Sequence, residues 1–458
     1  MSCVLPMTRP EPAVASRPRQ LAAALGLTGL LALLPLSASA LTLSEAWQLA
    51  ASNDPVARAT LATRDAEREL GVQERATRLP GVNAQGSYSD TDSEVVSTPF
   101  GPGFNERYTG WQAGVELRQP LFRYDWLARG RRADARDQQA EAGFAQRQQA
   151  LIARVAERYL AVLRAQNELG LAQAEAAAVR KSLEDTRKRY EVELIPGTDV
   201  KEAQARDDLS QAQLLAAQQA LAAARDALAE STGDETSPLS TLTGTTDVGD
   251  DGIAMADWLA RAREYSPALV QVRAAHAVAR ADLESRRSSA LPVVDLVASH
   301  SRQDTSESRI GSEANSTVVG VEVNIPLFAG GGNLSRVREA QARLRVAEAE
   351  RERVERELTR ETRRLVRDVQ TAQAQAMAFR RALESAESAE RGTRYGYEAG
   401  KRTIVDVLNA QSATVQARRN HDNARFDVLL KRLQLRQQAG VLVPDDLAAI
   451  DRLLTPAS

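Results

Sequence analysis

Cysteine is almost absent: the chain of 458 residues holds one, Cys3. That excludes a disulfide framework and any cysteine-built zinc site. Histidine is scarce as well, and His276, His300 and His421 lack the spacing of a metal centre. Aromatic residues amount to 4%, too few large side chains for a thick globular core. Neither sign of charge dominates, with 59 Lys+Arg against 61 Asp+Glu. The basic excess of a nucleic-acid-binding protein is missing, and no nucleic-acid partner is expected. Beyond the N-terminal region no apolar run approaches the ~20 residues of a membrane helix. Catalytic patterns are missing too. Gly330-Gly331-Gly332 is not followed by the Lys-Ser/Thr of a phosphate loop. Asp207-Asp208 reads as a solvated helix face, and no nucleophile–base arrangement is visible. The chain does not read as an enzyme, and no cofactor or metal is expected.

What remains is dominated by Ala, Glu, Arg, Gln and Leu, the composition of long helices with small interfaces. The N-terminus has the form of an export signal. Arg17 and Arg19 precede the apolar run Leu21–Leu36, and Ala38-Ser39-Ala40 comes next as an A-x-A cleavage site. Residues 1–40 are therefore expected to be a signal peptide, starting at Met1 or Met7, with the mature chain beginning at Leu41. An exported chain with no membrane helix can enter a bilayer only as strands of a closed barrel, because open sheet edges are too costly in lipid.

The mature chain reads as an internal duplication, 41–245 and then 246–458. Asn53-Asp54-Pro55 is matched by Tyr265-Ser266-Pro267 and Leu79-Pro80 by Leu291-Pro292. Gln119-Pro120-Leu121-Phe122 is matched by Ile325-Pro326-Leu327-Phe328, and Gly233 by Gly440. The landmarks come in the same order at nearly constant separation, the signature of a repeat. Thr232–Gly252, rich in Gly, Thr, Ser and Asp, joins the halves as a linker.

Each half is expected to run helix, strand pair, long helix, return helix. The first helices span about Leu43–Arg78 and Met255–Ala290, each ended by a Leu-Pro pair. Val82, Ala84, Gly86 and Tyr88 then alternate with polar residues, as do Trp111, Ala113, Val115 and Leu117 after a Gly/Pro-rich loop. The second half repeats this with Val294, Leu296, Ala298 and with Val319, Val321, Val323, Ile325. A period of two fits a soluble half-buried hairpin and equally a membrane barrel, apolar to lipid and polar to lumen. Long helices come next, about Tyr124–Val192 and Leu334–Glu398, each roughly 100 Å long. Ile152, Val155, Tyr159, Val162 and Leu169 keep coiled-coil spacing, as do Leu358, Leu365, Ala372 and Phe379. Return helices end at Gly233 and Gly440, and Phe426, Leu429 and Leu433 stripe the last one. The chain is expected to finish after a helical segment at Pro456-Ala457-Ser458, not in a strand.

Four strands cannot close a barrel, which needs about eight or more. Copies must pool them, and cyclic symmetry is the usual route. Three copies supply twelve strands around an open lumen. The expected fold is mostly α with a membrane β-barrel portion, an α-barrel/β-barrel with four strands per chain and a trimeric twelve-stranded barrel. The rival is a non-conducting periplasmic coiled-coil scaffold, which shares the heptads but needs no outward apolar strand faces.

Over essentially its whole mature length the chain resembles the TolC family of outer-membrane efflux and secretion proteins, the type I secretion outer-membrane channels. The residues that carry the resemblance are the Leu-Pro pairs, the strand-ending Gln-Pro-Leu-Phe and Ile-Pro-Leu-Phe with Gly330-Gly331, and the segment Gly400–Leu408, GKRTIVDVL. The resemblance implies a homotrimer in the outer membrane of a Gram-negative bacterium, with a long periplasmic extension. It implies an exit duct of a tripartite system, exporting proteins or small toxic molecules. Its partners would be outer-membrane lipid, a periplasmic adaptor (membrane fusion protein) and an inner-membrane ABC or RND pump.

The resemblance also assigns the residues at the closed periplasmic mouth. Links between neighbouring helix pairs would be carried by Thr198, Asp199, Tyr397 and Arg402. An Arg–carboxylate bond is charge-assisted and suits a latch, while solvated turn charges alone contribute little. The family's acidic constriction falls on Asp406 and on Asn409, where the residue is neutral. Converging Asp406 carboxylates would favour cations; a helix-capping Asp is the plainer reading. Val192-Glu193-Leu194 and Ala399-Gly400-Lys401 match the adaptor-docking turns. Glu193 stands where the family usually has Gly, and Pro196 stiffens the start of the return helix.

Overall fold

The computed structural model describes residues 40–98, 101–235, 237–242, 252, 254–308 and 311–455. The expected leader lies outside the described residues apart from its last position, as does most of the linker. In chain order the elements are α1 (Leu43–Asn53), α2 (Pro55–Ala76), β1 (Gly81–Thr98), β2 (Gly101–Arg123), α3 (Trp126–Glu191) and α4 (Gly197–Thr232). After β3 (Thr241–Leu242) come α5 (Met255–Tyr265), α6 (Pro267–Ser288), β4 (Val293–Asp304), β5 (Glu313–Asn324), α7 (Gly332–Glu398) and α8 (Ile404–Gln438). The chain closes with α9 (Asp445–Asp451) and β6 (Leu454–Thr455). The order helix–helix–strand–strand–helix–helix thus occurs twice.

Local chemistry sets the boundaries. Thr42 and Glu45 form a capping box that starts α1. Asp54 leaves the helix at ψ 122°, caps α2 by accepting from the Val56 N–H at 2.7 Å, and takes the Arg154 guanidinium of α3 at 2.5 Å. Pro55 and Pro267 each occupy the first helical turn, where the missing N–H costs nothing.

The four long strands form one antiparallel sheet, ordered β1-β2-β4-β5. Its register fixes two faces. Val82 opposes Leu117, Ala84 opposes Val115, and Tyr88 opposes Trp111; Ala298 lies between Leu117 and Val319, and Leu296 opposes Val321. These share one face, because side chains alternate along a strand. The other face carries Asn83, Gln85, Glu116, Arg118, Asp295, Ser299 and Glu322. Asp295 and Glu322 sit opposite one another, and Arg118 bridges them at 3.3 and 2.9 Å, which offsets the like-charge repulsion. From Trp111 to Phe122, at ~3.3 Å per residue and a tilt of ~40°, the apolar band is roughly 28 Å tall, close to the hydrocarbon band of a membrane barrel. His300 and Arg302 also fall on this face. The His300 ring meets the Thr317 hydroxyl at 2.8 Å, and Arg302 pairs with Glu313 and lies over the Trp111 ring.

The first hairpin departs from expectation. β1 and β2 have 18 and 23 residues, against 12 each in β4 and β5. Where a Gly/Pro-rich loop was expected, pairing runs on through Asp92↔Arg107 to Thr98↔Gly101. The Ser/Thr/Val alternation of this stretch suits a strand, Arg107 ties to Asp90 across it, and Pro102 is tolerated because no third strand pairs there.

Below the sheet, α3 and α7 run for 66 and 67 residues, roughly 100 Å. They are antiparallel to α4 and α8. Most of the expected coiled-coil positions are interior: Ile152, Val155, Tyr159 and Val162 are almost fully buried, as are Leu358, Leu365 and Ala372, while Leu169 and Phe379 are half-buried. One core packs these α3 residues with α1, α4, α8 and α9. A second joins Trp258 and Leu269 to Leu358, Leu365 and Val369. Tyr159 donates to the Leu41 carbonyl at 2.8 Å, and burial pushes its phenol well above the ordinary tyrosine range. The Asp451 carboxylate accepts from the N–H groups of Leu43 and Ser44 at 2.8 and 3.0 Å, so both ends of the described chain are held at one level. There β6 pairs with β3. The last described residues are therefore a short strand after the helical segment, Pro456-Ala457-Ser458 lie outside the described residues, and part of the expected linker is that strand's partner. The helices lie side by side in two tiers, α2, α3, α6 and α7 in one and α4, α3, α8 and α7 in the other. α2 and α4 stand at one edge and α7 at the other.

The helix ends carry the left-handed residues. Gly233 has φ 73° and Gly440 φ 75°. At the far tips the same motif closes both hairpins. Glu193 and Leu194 N–H donate to Tyr190 and Arg189 carbonyls at 2.9 and 3.0 Å; Gly400 and Lys401 donate to Tyr397 and Gly396 at 2.9 and 2.8 Å. Both are Schellman turns. The second uses Gly400 at φ 70°, whereas the first forces Glu193 to φ 60°, a conformation that costs an L side chain about 1–2 kcal/mol.

For purified protein in detergent, Gly440→Ala is expected to lower the thermal unfolding midpoint more than Gly233→Ala. A Cβ at 440 would lie 2.2 Å from the Tyr265 carbonyl oxygen, while one at 233 finds its nearest atom at 3.5 Å. Glu193→Gly relieves the left-handed strain and raises stability by about 1 kcal/mol, less the added backbone entropy of glycine; hydrogen exchange at the tip reads this local gain.

Candidate functional site

The tip between the two helical hairpins gathers the residues that the sequence singled out. α3 ends at Glu191 and α4 begins after Pro196, held extended at ψ 154°. Val192, Glu193 and Leu194 project from this turn, as Ala399, Gly400 and Lys401 do from the turn between α7 and α8; all six are exposed. Thr198 and Asp199 lie in the first turn of α4, with the Thr198 hydroxyl 3.4 Å from Asp199 Oδ1. Tyr397 packs against a small cluster of Ile404, Val407 and Leu408. Arg402 is exposed, and its stem lies over Gly396, where a Cβ would come 2.9 Å from Arg402 Cγ.

Within one chain these residues pair differently from the expected links. Among the described residues no hydrogen bond joins Asp199 to Tyr397 or Arg402. The Tyr397 ring instead faces the Arg189 guanidinium of α3 at 4.6 Å. Asn409 is engaged by Arg206 of α4, whose Nη2 donates to Asn409 Oδ1 at 2.6 Å. Asp406 has a local partner as well. Its carboxylate accepts from the Thr403 N–H at 2.9 Å and the Thr403 hydroxyl at 3.0 Å, while the Asp406 N–H donates to Thr403 Oγ1 at 3.2 Å. This reciprocal box starts α8. The Thr403 backbone and hydroxyl bonds, with nearby Arg402, hold the Asp406 carboxyl below the usual aspartate range. The group is thus ionised throughout the neutral range.

Arg189 and Arg206 are the residues that sequence reasoning missed. The signal was slight. Arg189-Tyr190 aligns with Gly396-Tyr397, so the first repeat carries a guanidinium where the second has none until the Arg402 stem covers the gap. Arg206 sits among many similar helix charges.

Further along, the hairpins are joined again. Arg419 pairs with Glu168 at 2.6 Å, Asn167 donates to Asp422 at 2.9 Å, and Arg164 bonds Asp427. Between this seam and Arg206 the hairpins part around a cavity of about 540 Å³, lined by all four long helices, including Leu171, Val179, Leu209, Leu408 and Val415. Among the described residues no group of acidic, histidine or cysteine side chains could hold a metal, and no helix is long and apolar enough to cross a membrane.

Known proteins are similar to this chain. A family model described as outer membrane efflux protein matches residues 46–234 and 258–441. Outer membrane protein TolC of Vibrio cholerae is 31% identical over 415 residues, 89% of this chain and 93% of that one. Alkaline protease secretion protein AprF of Pseudomonas aeruginosa is 30% identical, covering 92% of this chain and 89% of its own. The crystal structure of the outer membrane protein VceC from Vibrio cholerae superposes with a TM-score of 0.73 at 20% identity, covering 87% of this chain and 96% of that one, a likeness of fold. The chain belongs to the outer membrane efflux protein family, the TolC-like channels of the Gram-negative outer membrane: a mostly helical conduit with a long periplasmic extension, and not an enzyme.

Proposed function

We propose that three copies of this chain form the gated exit duct of a tripartite export system, working with a periplasmic adaptor and an inner-membrane ABC or RND pump. One observation carries the reading: an apolar face of membrane height on a sheet of four strands whose two outer edges find no partner among the described residues. In lipid such edges must be covered. Pairing the free edge of β1 with the free edge of β5 in the next copy does this, and it places α7 beside the neighbour's α2 and α4. The scaffold alternative is disfavoured because it has no use for Val82, Val319, Val321 and Val323 on an exposed face. Since AprF is named for protease secretion, we assign a secreted protein as cargo ahead of small toxic molecules.

At the mouth, we assign the closing links to Thr198, Asp199, Tyr397 and Arg402 between helix pairs, and the constriction to Asp406. The exposed position of Arg402 and Thr198 leaves both free to reach a neighbouring copy. The tip turns Val192–Leu194 and Ala399–Lys401 offer the adaptor its contacts, with the strained Glu193 turn the less adaptable of the two.

In planar bilayers the protein is expected to give a small, closed-state conductance that Arg402→Glu or Tyr397→Phe raises; an unchanged conductance would remove the latch. Asp406→Asn keeps an acceptor for Thr403 but deletes the charge, so reversal potentials should show weaker cation preference with α8 intact. The lowered pKa of Asp406 sets the sign of the pH effect. Its charge, and its capping contribution to α8, are present above the unfolded pKa and fade only as pH falls through the lower folded value. Cation preference that disappeared already near the ordinary aspartate pKa of ~3.9 would count against this assignment.

A further inference from the structure

The links proposed for the mouth join helix pairs through Asp199 and Arg402, yet a single chain already ties its hairpins together at the tip by other means. Arg206 reaches from α4 to Asn409 on α8 at 2.6 Å, and Arg189 reaches from α3 to the Tyr397 ring on α7 at 4.6 Å. One contact joins the two return helices and the other joins the two long helices. The two contacts therefore cross the same gap at two points. On the other side of the 540 Å³ cavity the hairpins meet again at the Arg419–Glu168 and Asn167–Asp422 seam. The cavity lies between the seam and Arg206, which itself lines it.

We propose that Arg206 and Asn409 form a clasp internal to each chain, reinforced by Arg189 on Tyr397, and that this clasp parts when the hairpins separate to open the duct. The proposal rests on the gated-duct reading.

Chemistry explains why Asn serves here. A carboxylate at 409 would pair with Arg206 and cancel its charge. The amide oxygen accepts the hydrogen bond and leaves the guanidinium positive. Such a bond is charge-assisted on one side only, firm in geometry and weaker than a full ion pair. A contact that must be broken in each opening event is better served by the weaker acceptor. It also leaves a positive charge one helical turn from Asp406, so that the mouth carries opposite charges in succession and not a neutral second ring. Arg189 adds a cation–π contact, modest at an exposed site, which needs the Tyr397 ring but not its hydroxyl.

The test is single-channel conductance of the full-length protein in planar bilayers. Arg206→Ala and Asn409→Ala should each raise the closed-state conductance, shifting the open-to-closed ratio by roughly threefold or more. The exchange Arg206→Asn with Asn409→Arg should bring it back towards wild type. Asn409→Asp should lower it and slow opening. Arg189→Ala should add to Arg206→Ala, whereas Tyr397→Phe leaves the Arg189 contact in place. The residues are surface-lying, and an unchanged circular dichroism melt checks that each variant is folded. A conducting wild type whose conductance ignores Arg206→Ala, Asn409→Ala and the exchange overturns the clasp alone. A wild type that forms no channel overturns the duct reading and the clasp with it.

Discussion

An unpaired backbone N–H or C=O in hydrocarbon costs several kcal/mol, and the sheet of this protein presents two whole edges of them. Among the described residues the outer sides of β1 and β5 have no partner. The sheet has one apolar face and one polar face, so it is neither a soluble sandwich nor a finished barrel. Every larger feature is consistent with that incompleteness. The helices below are arranged as a slab with α2 and α4 at one edge and α7 at the other, so they too are open on the sides where the strands are open. Closing the sheet between copies and closing the helical wall between copies are one geometric operation. The duplication then supplies two similar sectors per chain, and a three-fold assembly repeats the sector six times.

Length is obtained here with very little core. A wall one helix thick cannot surround its side chains, and the Ala-rich faces let helices approach without large residues between them. The exceptions lie at one level, where Tyr159, Leu160, Phe426, Leu442 and Leu447 are almost fully buried and where both described ends of the chain are tied down. The flank of α7 is carried differently, by intrahelical pairs such as Arg353 with Glu350 and Glu357, and Arg364 with Glu361 and Asp368. Each exposed pair contributes little, because solvent screens it. The thickest packing thus anchors the middle of the wall, and the tips are left with small clusters such as Ile404, Val407 and Leu408.

Most of this architecture was legible because it is periodic. Seven-residue spacing gave α3 and α7, two-residue spacing gave the faces of β4 and β5, and Gly233 and Gly440 marked the helix ends. What escaped was short or long-range. The pairing of β3 with β6 involves two residues from each strand, too few to show any period. The continuation of β1 and β2 past Tyr88 and Trp111 was hidden by Gly and Pro, which usually signal a loop and here lie on an edge with no third strand. Asp406 was read both as a pore charge and as a cap, and its bonds to Thr403 establish the cap without touching the question of the pore. The contacts of Arg189 and Arg206 join residues some two hundred positions apart, through side chains that look like any other helix charge.

The two tips show how a duplication diverges under one backbone constraint. Both turns make the same pair of Schellman hydrogen bonds, so both demand a left-handed residue at the same place. Gly400 meets the demand freely, and Glu193 meets it under strain. The turn with Gly is flanked by Tyr397, Arg402 and Asp406, and its α8 opens on a complete capping box. The turn with Glu opens α4 on Pro196, with no side-chain cap. One hairpin is therefore well terminated and the other is not, although the same element order builds both. Where a contact has to hold two such hairpins together, the sounder partner is the one that can be fixed: Asn409 lies on α8, and Tyr397, at the end of α7, packs on Ile404, Val407 and Leu408 of that helix. Arg189 and Arg206, reaching across from the less well-terminated hairpin, borrow that order.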